Sequence, residues 1–125
     1  MSPDPDADLD RLRAICLAQP RAMERVSHGM PVFFIEKGKI FAWFIHNHHG
    51  SGITAVAVQT SGPDEQAMLV EAEPALFYRP PYLAPSGWIG LRLDVEDTDW
   101  EQVAARVEQS WALVAPSRLR EQVGR

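Results

Sequence analysis

Residues 32–45 read VFFIEKGKIFAWFI, two runs of aromatic and β-branched residues divided by Glu36-Lys37-Gly38-Lys39. Such runs suit a pleated, half-buried surface, and a polar tetrapeptide containing glycine is what a tight reversal between them needs. Gly38 is expected to supply the positive φ of that reversal. The stretch therefore predicts a β-hairpin. Its second arm has no polar residue from Ile40 to Ile45. Strict alternation is lost, so both of its faces are expected to be covered, one by helices and the other in part.

Towards the C-terminus, HNHHGSG (46–52) is a connection and ITAVAV (53–58) a third strand. The segment SGPDEQAMLVEAEP (61–74) predicts a helix, with Ser61 as cap, Pro63 at the first position and Asp64 and Glu65 in the first turn. Met68, Leu69 and Ala72 would form its apolar stripe, and Pro74 its stop. ALFYRPPYLAPSGW (75–88) is rich in aromatics and prolines, with ALF as a short strand. WIGLRL (88–93) follows as a fifth, and Gly90 there suggests a bulge or a close backbone approach. The last helix is the clearest. Thr98 and Asp99 are caps, Glu101 and Gln102 complete a capping box, and Trp100, Val103, Ala104, Val107, Trp111 and Val114 share a face.

Towards the N-terminus, PRAMERVSHGMP (20–31) has no clean period and reads as a bend. Before it, Leu9, Leu12, Ile15 and Cys16 mark a helix capped by Asp8 or Asp10 and ended by Pro20. The predicted order is α-β-β-β-α-β-β-α. This is an α+β fold of two layers, a five-stranded antiparallel sheet with helices on a face. Residues 1–8 are expected to be a flexible acidic N-terminus, 9–116 one domain, and 117–125 a C-terminal tail.

At 125 residues the chain can bury a core without a staple, and its one cysteine, Cys16, allows no internal disulfide. The aspartate-rich start lacks a signal peptide's basic and apolar regions, and no apolar run is long enough to span a bilayer. A cytoplasmic protein with no membrane partner is expected. The net charge of −5 speaks against a strongly basic duplex binder, although Arg11, Arg13, Arg21, Arg25, Lys37 and Lys39 are gathered in the first third.

Candidate chemistry is sparse. His46, His48 and His49 invite a metal, but four ligands are normally needed for a structural zinc site, and no cysteine or acidic residue adjoins them. A polar loop closing on Gly50 is the simpler reading. Ser27 and His28 are adjacent, which is not the convergence of nucleophile, base and orienting acid that catalysis requires. Asp94, Glu96, Asp97 and Asp99 lack the spacing of a calcium loop, and capping accounts for Asp99. Cys16 on a periodic helix face reads as a core residue. With no phosphate loop, dinucleotide fingerprint or CxxC pair, no cofactor is expected. Tyr78, Tyr82 and Trp88 flank two prolines and Arg79. They would cover an end of the core, stack on exposed bases, or anchor a peptide.

Three pieces together carry a family likeness: HGMPVFFIEKGKIFAWF (28–44), YRPPYLAPSGWIGLRLD (78–94) and SWALVAP (110–116). In order and spacing the chain resembles the MmcQ/YjbR family over about residues 9–116. These are small proteins commonly labelled DNA-binding. The resemblance implies a secretion-chaperone-like α+β architecture. Gly38-Lys39 would stand at a turn, Gly87-Trp88 at the opening of a strand, and Ser110 would face inward from the last helix. It transfers no catalytic residue.

Three functions follow as expectations. The first is a non-enzymatic DNA-binding or regulatory protein, with contacts from Arg11, Arg13, Arg21, Arg25, Lys37, Lys39 and Arg79 and a second group at Arg118 and Arg120. The second is a protein- or peptide-interaction adaptor, which needs an exposed apolar patch or an unpaired sheet edge. The third is a metal-dependent enzyme using the His-rich loop or His28.

Overall fold

The computed structural model describes residues 4–47, 50 and 52–123. His48 and His49 lie outside them, as does Arg125. The chain runs α1 (Pro5–Leu17), β1 (Ala22–Ser27), β2 (Met30–Ile35), β3 (Ile40–His46), β4 (Thr54–Gln59), α2 (Pro63–Ala72), β5 (Phe77–Tyr78), β6 (Trp88–Arg92), α3 (Trp100–Val114) and α4 (Ser117–Val123). The strands form one antiparallel sheet in the order β1-β2-β3-β4-β6-β5. The α+β class and the antiparallel sheet are as expected. The sheet has six strands rather than five, and a fourth helix follows Pro116.

The added strand is β1, which pairs with β2 from Ala22↔Ile35 to Ser27↔Met30. Its reversal is the dipeptide His28-Gly29, with φ +53° and +76°. Positive φ at both central residues is the geometry whose twist matches a two-residue hairpin. At the next hairpin the expectation for Gly38 fails: the positive φ belongs to Lys37, at +61°. Glycine at 38 instead eases a close approach: its N–H donates to the Ile35 carbonyl at 2.6 Å, and a Cβ there would lie 3.2 Å from the same oxygen.

Helix caps also differ in detail. Asp4, not Asp8 or Asp10, caps α1 by accepting from the Asp6 N–H, with Pro5 at the first position. Gly62 caps α2, while the Ser61 N–H donates to the Glu65 carboxylate. Asp99 caps α3 as expected, accepting from the Glu101 and Gln102 N–H groups. The stripe on α2 departs from its prediction. Met68 is exposed, and Gln66 and Leu69 are the buried pair. A buried polar side chain needs partners, and the Gln66 amide finds two in the carbonyls of Ala84 and Trp88.

Most of the core lies between the sheet and the helices. Phe33, Phe41, Phe44, Val56, Ile89 and Leu91 meet Leu12 and Cys16 of α1 and Val103, Val107 and Trp111 of α3. The Trp111 indole N–H donates to the Pro20 carbonyl at 3.0 Å, which ties α3 to the chain just before β1. In β3 the pairing shifts: Phe33 faces Ala42 and Phe34 faces Ile40, so Phe41 is an extra residue. This bulge turns Phe41 and Ala42 both into the main core. It also ends the β3–β4 ladder at Ala42↔Val58, and Ser110 of α3 fills the gap beyond. The Ser110 hydroxyl donates to the Phe41 carbonyl at 2.6 Å and accepts from the Gln59 N–H at 2.8 Å. The inward Ser110 implied by the resemblance is thus seen, with a reason.

Candidate functional site

On the opposite face of the sheet, no α-helical residue enters the apolar cluster among the described residues. Period-two alternation brings Val32, Trp43, Ile45 and Ala57 together there, with Met30, Ile40, Leu83 and Trp88 packed against them. One row of paired residues crosses all six strands on this face: Arg25, Val32, Trp43, Ala57, Gly90 and Tyr78. Gly90 is there because the Tyr78 ring occupies the space of a side chain: a Cβ at 90 would lie 2.4 Å from that ring. The close approach expected at Gly90 is therefore real.

Between β5 and β6 the chain Arg79–Gly87 folds over the end of this face. Pro80 is buried, and Gln66 holds the segment from behind through Ala84 and Trp88. The Gly87 carbonyl accepts from both the backbone N–H and the hydroxyl of Thr60, at 2.9 and 2.7 Å. The strap is thereby anchored to α2 and to the end of β4. Between it and the sheet lies a groove of about 850 Å³. Met30, Trp43 and Ile45 form its floor, and Tyr78, Tyr82 and Leu83 one wall. His28 closes the β1–β2 side, with its ring centroid 6.1 Å from that of Trp43. Tyr82 is 83% exposed, and Arg79 is also exposed at the rim.

The groove is chemically quiet. Burial pushes the Tyr78 phenol up to about 12; the Arg92 charge opposes that rise and Asp94 supports it. Tyr78 thus remains a neutral hydroxyl at ordinary pH. Arg92 is clamped to Asp94 by two bonds of 2.9 and 3.0 Å. Burial alone would raise the Asp94 carboxyl, but the Arg92 hydrogen bonds and the Thr54 N–H hold it below the usual carboxylate range. The Ser27 hydroxyl and His28 Nδ1 are 3.0 Å apart. No carboxylate is bonded to that ring among the described residues, so the group that orients a catalytic base is not supplied there.

Other sequence candidates are dispersed. His46 stands at the end of β3 with Nδ1 2.9 Å from the Thr54 hydroxyl, and no group of three or more potential metal ligands occurs among the described residues. Cys16 is fully buried, and burial pushes its thiol up. Arg13 bonds Glu24 at 2.7 Å and Asp10 at 2.9 Å, and Arg21 lies 3.8 Å from Glu36. Arg11 and Arg25 lie over the rings of Trp100 and Phe34. Lys37 and Lys39 flank the β2–β3 turn, and Arg118 and Arg120 sit on α4. Of the aromatic trio, Tyr78 and Tyr82 line the groove, and Trp88 packs into the cluster beneath it. The residues that sequence reasoning did not assign to a site are Met30, Trp43 and Ile45. For Trp43 and Ile45 the signal was present in the unbroken apolar run of the second hairpin arm, which needed a second covered face; Met30 lies on the preceding strand, outside that run.

Residues 17–113 match the family model described as YjbR. The chain belongs to the YjbR family. Its fold is similar to the crystal structure of Deinococcus radiodurans protein DR2400, whose domain is described as DUF419. The TM-score is 0.72 at 19% identity, covering 93% of this chain and 87% of that one. At that identity the likeness concerns the YjbR fold alone. No curated protein matches the sequence. No helix among the described residues is long and apolar enough to cross a membrane.

Proposed function

We propose that this protein is a non-catalytic binding module that receives an apolar segment of a protein partner in the groove on the sheet face opposite α1 and α3. The observation that carries this reading is the groove itself. About 850 Å³ of concave space lies between Trp43 and Tyr82, with Arg79 the one formally charged lining residue among those described. That volume falls within the range of roughly 300–1,000 Å³ typical of ligand sites, and an apolar lining with few polar groups is their usual chemistry. An exposed apolar concavity on a chain otherwise well supplied with charge is also a mark of an interaction surface.

Duplex DNA is less well supported. Of the basic side chains named from sequence, Arg13 and Arg21 are already beside carboxylates, and the net charge of −5 opposes approach to a polyanion. The test is a titration of the isotopically labelled full chain with short peptides bearing a single large apolar anchor, read by backbone amide shifts. Perturbations should gather at His28, Trp43 and residues 78–83, and should shrink in Tyr82→Ala. Shifts confined to the helix layer, or a duplex that perturbs Lys37, Lys39 and Arg118 while peptides do nothing, would defeat the reading.

A further inference from the structure

The register of the sheet sorts charge as well as apolar surface. Among all strand residues the one carboxylate is Glu24, and it pairs with Phe33 on the helix side, where Arg13 binds it. The strand cations are placed oppositely. Arg25 pairs with Val32 in the row that includes Trp43, and Arg92 pairs with Ala55, itself opposite Ile45. Arg79 adds a third cation from the strap. The negative surplus sits instead on the helices, at positions such as Asp6 and Asp10 of α1, Asp64 and Glu71 of α2, and Glu101 and Glu108 of α3. A chain of net charge −5 thus presents a groove face whose strand charges are all positive.

Two of these cations flank the groove from opposite sides. Arg79 lines it from the strap, and Arg25 stands outside the lining on β1, in the row of Val32 and Trp43, with its guanidinium 5.3 Å from the centroid of the Phe34 ring. Neither has a carboxylate partner among the described residues, whereas Arg92 is already clamped to Asp94. Resting on the binding reading above, we propose that the occupant of the groove is an acidic peptide segment with an aromatic or large aliphatic anchor. The anchor lies on Trp43 under the strap, and carboxylates on either side of it meet Arg79 and Arg25. The separation of charge serves selectivity. Acidic helices repel an anionic segment that arrives on the wrong face, and like-charge rejection contributes to discrimination as much as attraction does. A nucleic acid strand would share the charge requirement. Among the described lining residues, Met30, Ile45, Ile53, Pro80, Pro81 and Leu83 carry no side-chain nitrogen or oxygen, and that apolar part suits side chains better than base edges, which need polar partners.

The experiment compares three peptides that share one central anchor and differ only in its flanks: Asp/Glu, Asn/Gln, or Lys. A short oligothymidylate is included, and all are titrated into the full chain. The acidic peptide should bind more tightly than its amide analogue by about fivefold to tenfold, the effect that two solvent-exposed ion pairs can supply. Rising salt should erase the difference. Arg25→Gln and Arg79→Gln change exposed residues, and each should bring the ratio towards unity while groove shifts persist. Equal binding of acidic and amide peptides in the groove would overturn the charge inference and leave the binding reading intact. Absence of groove shifts with every peptide would overturn both. Preference for the oligothymidylate would overturn the peptide assignment in favour of a single-stranded nucleic acid.

Discussion

Ser110 and Gly90 are the two positions where one side chain, or its absence, decides local geometry. The Ser110 hydroxyl is wholly buried and serves two backbone groups that the β3 bulge leaves outside the ladder. In Ser110→Ala the Phe41 carbonyl and the Gln59 N–H lose their partner together. The expected loss is roughly 1–3 kcal/mol, since a buried group left unsatisfied carries its full desolvation penalty. Urea unfolding measures it directly, and an unchanged midpoint would mean that the bulge does not depend on this contact. Gly90→Ala acts on the other face. The new methyl group would meet the Tyr78 ring and force it towards the groove it lines, at a cost of about 1–3 kcal/mol for overpacking. A displaced ring would also be less buried, so the phenol now near 12 should titrate lower in an ultraviolet pH titration. A titration identical to that of the parent chain would show that the ring had not moved.

At the scale of elements, α2 and α3 are joined by Glu65. Its carboxylate accepts from Arg106 at 3.1 Å, from the Gln109 amide at 3.0 Å and from the Ser61 N–H at 2.8 Å. Burial alone would raise this carboxyl, but those hydrogen bonds outweigh it and bring it down to about 2. A depressed folded-state value gives stability that is fully present above the unfolded carboxylate range, near 4.5, and is lost as pH falls towards 2. The amount is on the order of 2–3 kcal/mol. Asp94 acts in the same direction, and Asp8, raised by burial and by Asp4 and Asp94, acts against it. Glu65→Gln should therefore flatten the acid limb of stability against pH, and an unaltered limb would remove Glu65 from the account. The elements themselves were legible in proportion to how fully one face is buried. The central hairpin and α3 have long apolar periods, and both appear where predicted. β1 does not, because an edge strand with Glu24 and Arg25 on its two faces has no apolar side to announce it. The missed signal was His28-Gly29, a two-residue turn between extended runs. The groove was harder to read, because it arises from the distance between Met30, Trp43 and the strap in space, and no local pattern encodes that distance.

For the molecule as a whole, the sheet divides two tasks between its faces. Residues on the helix side, such as Phe33, are fully buried and touch elements from both ends of the chain. The far side is closed only by a strap, and its outermost ring, Tyr82, remains 83% exposed. If the far face were merely a second core, its aromatic residues would contribute to stability in the same way as those of the first. If it is a reception surface, its outer ring, Tyr82, should contribute little until a partner arrives, while Trp43 stays part of the packed floor. The two cases separate in a pair of variants. Phe33→Ala empties a packed interior and should lose about 3–5 kcal/mol. Tyr82→Ala removes a ring that is 83% exposed and should lose much less stability than Phe33→Ala, yet weaken peptide binding in the groove. Comparable destabilisation by both variants, measured by denaturant unfolding of the free protein, would assign the strap to the core and leave the groove without a separate purpose.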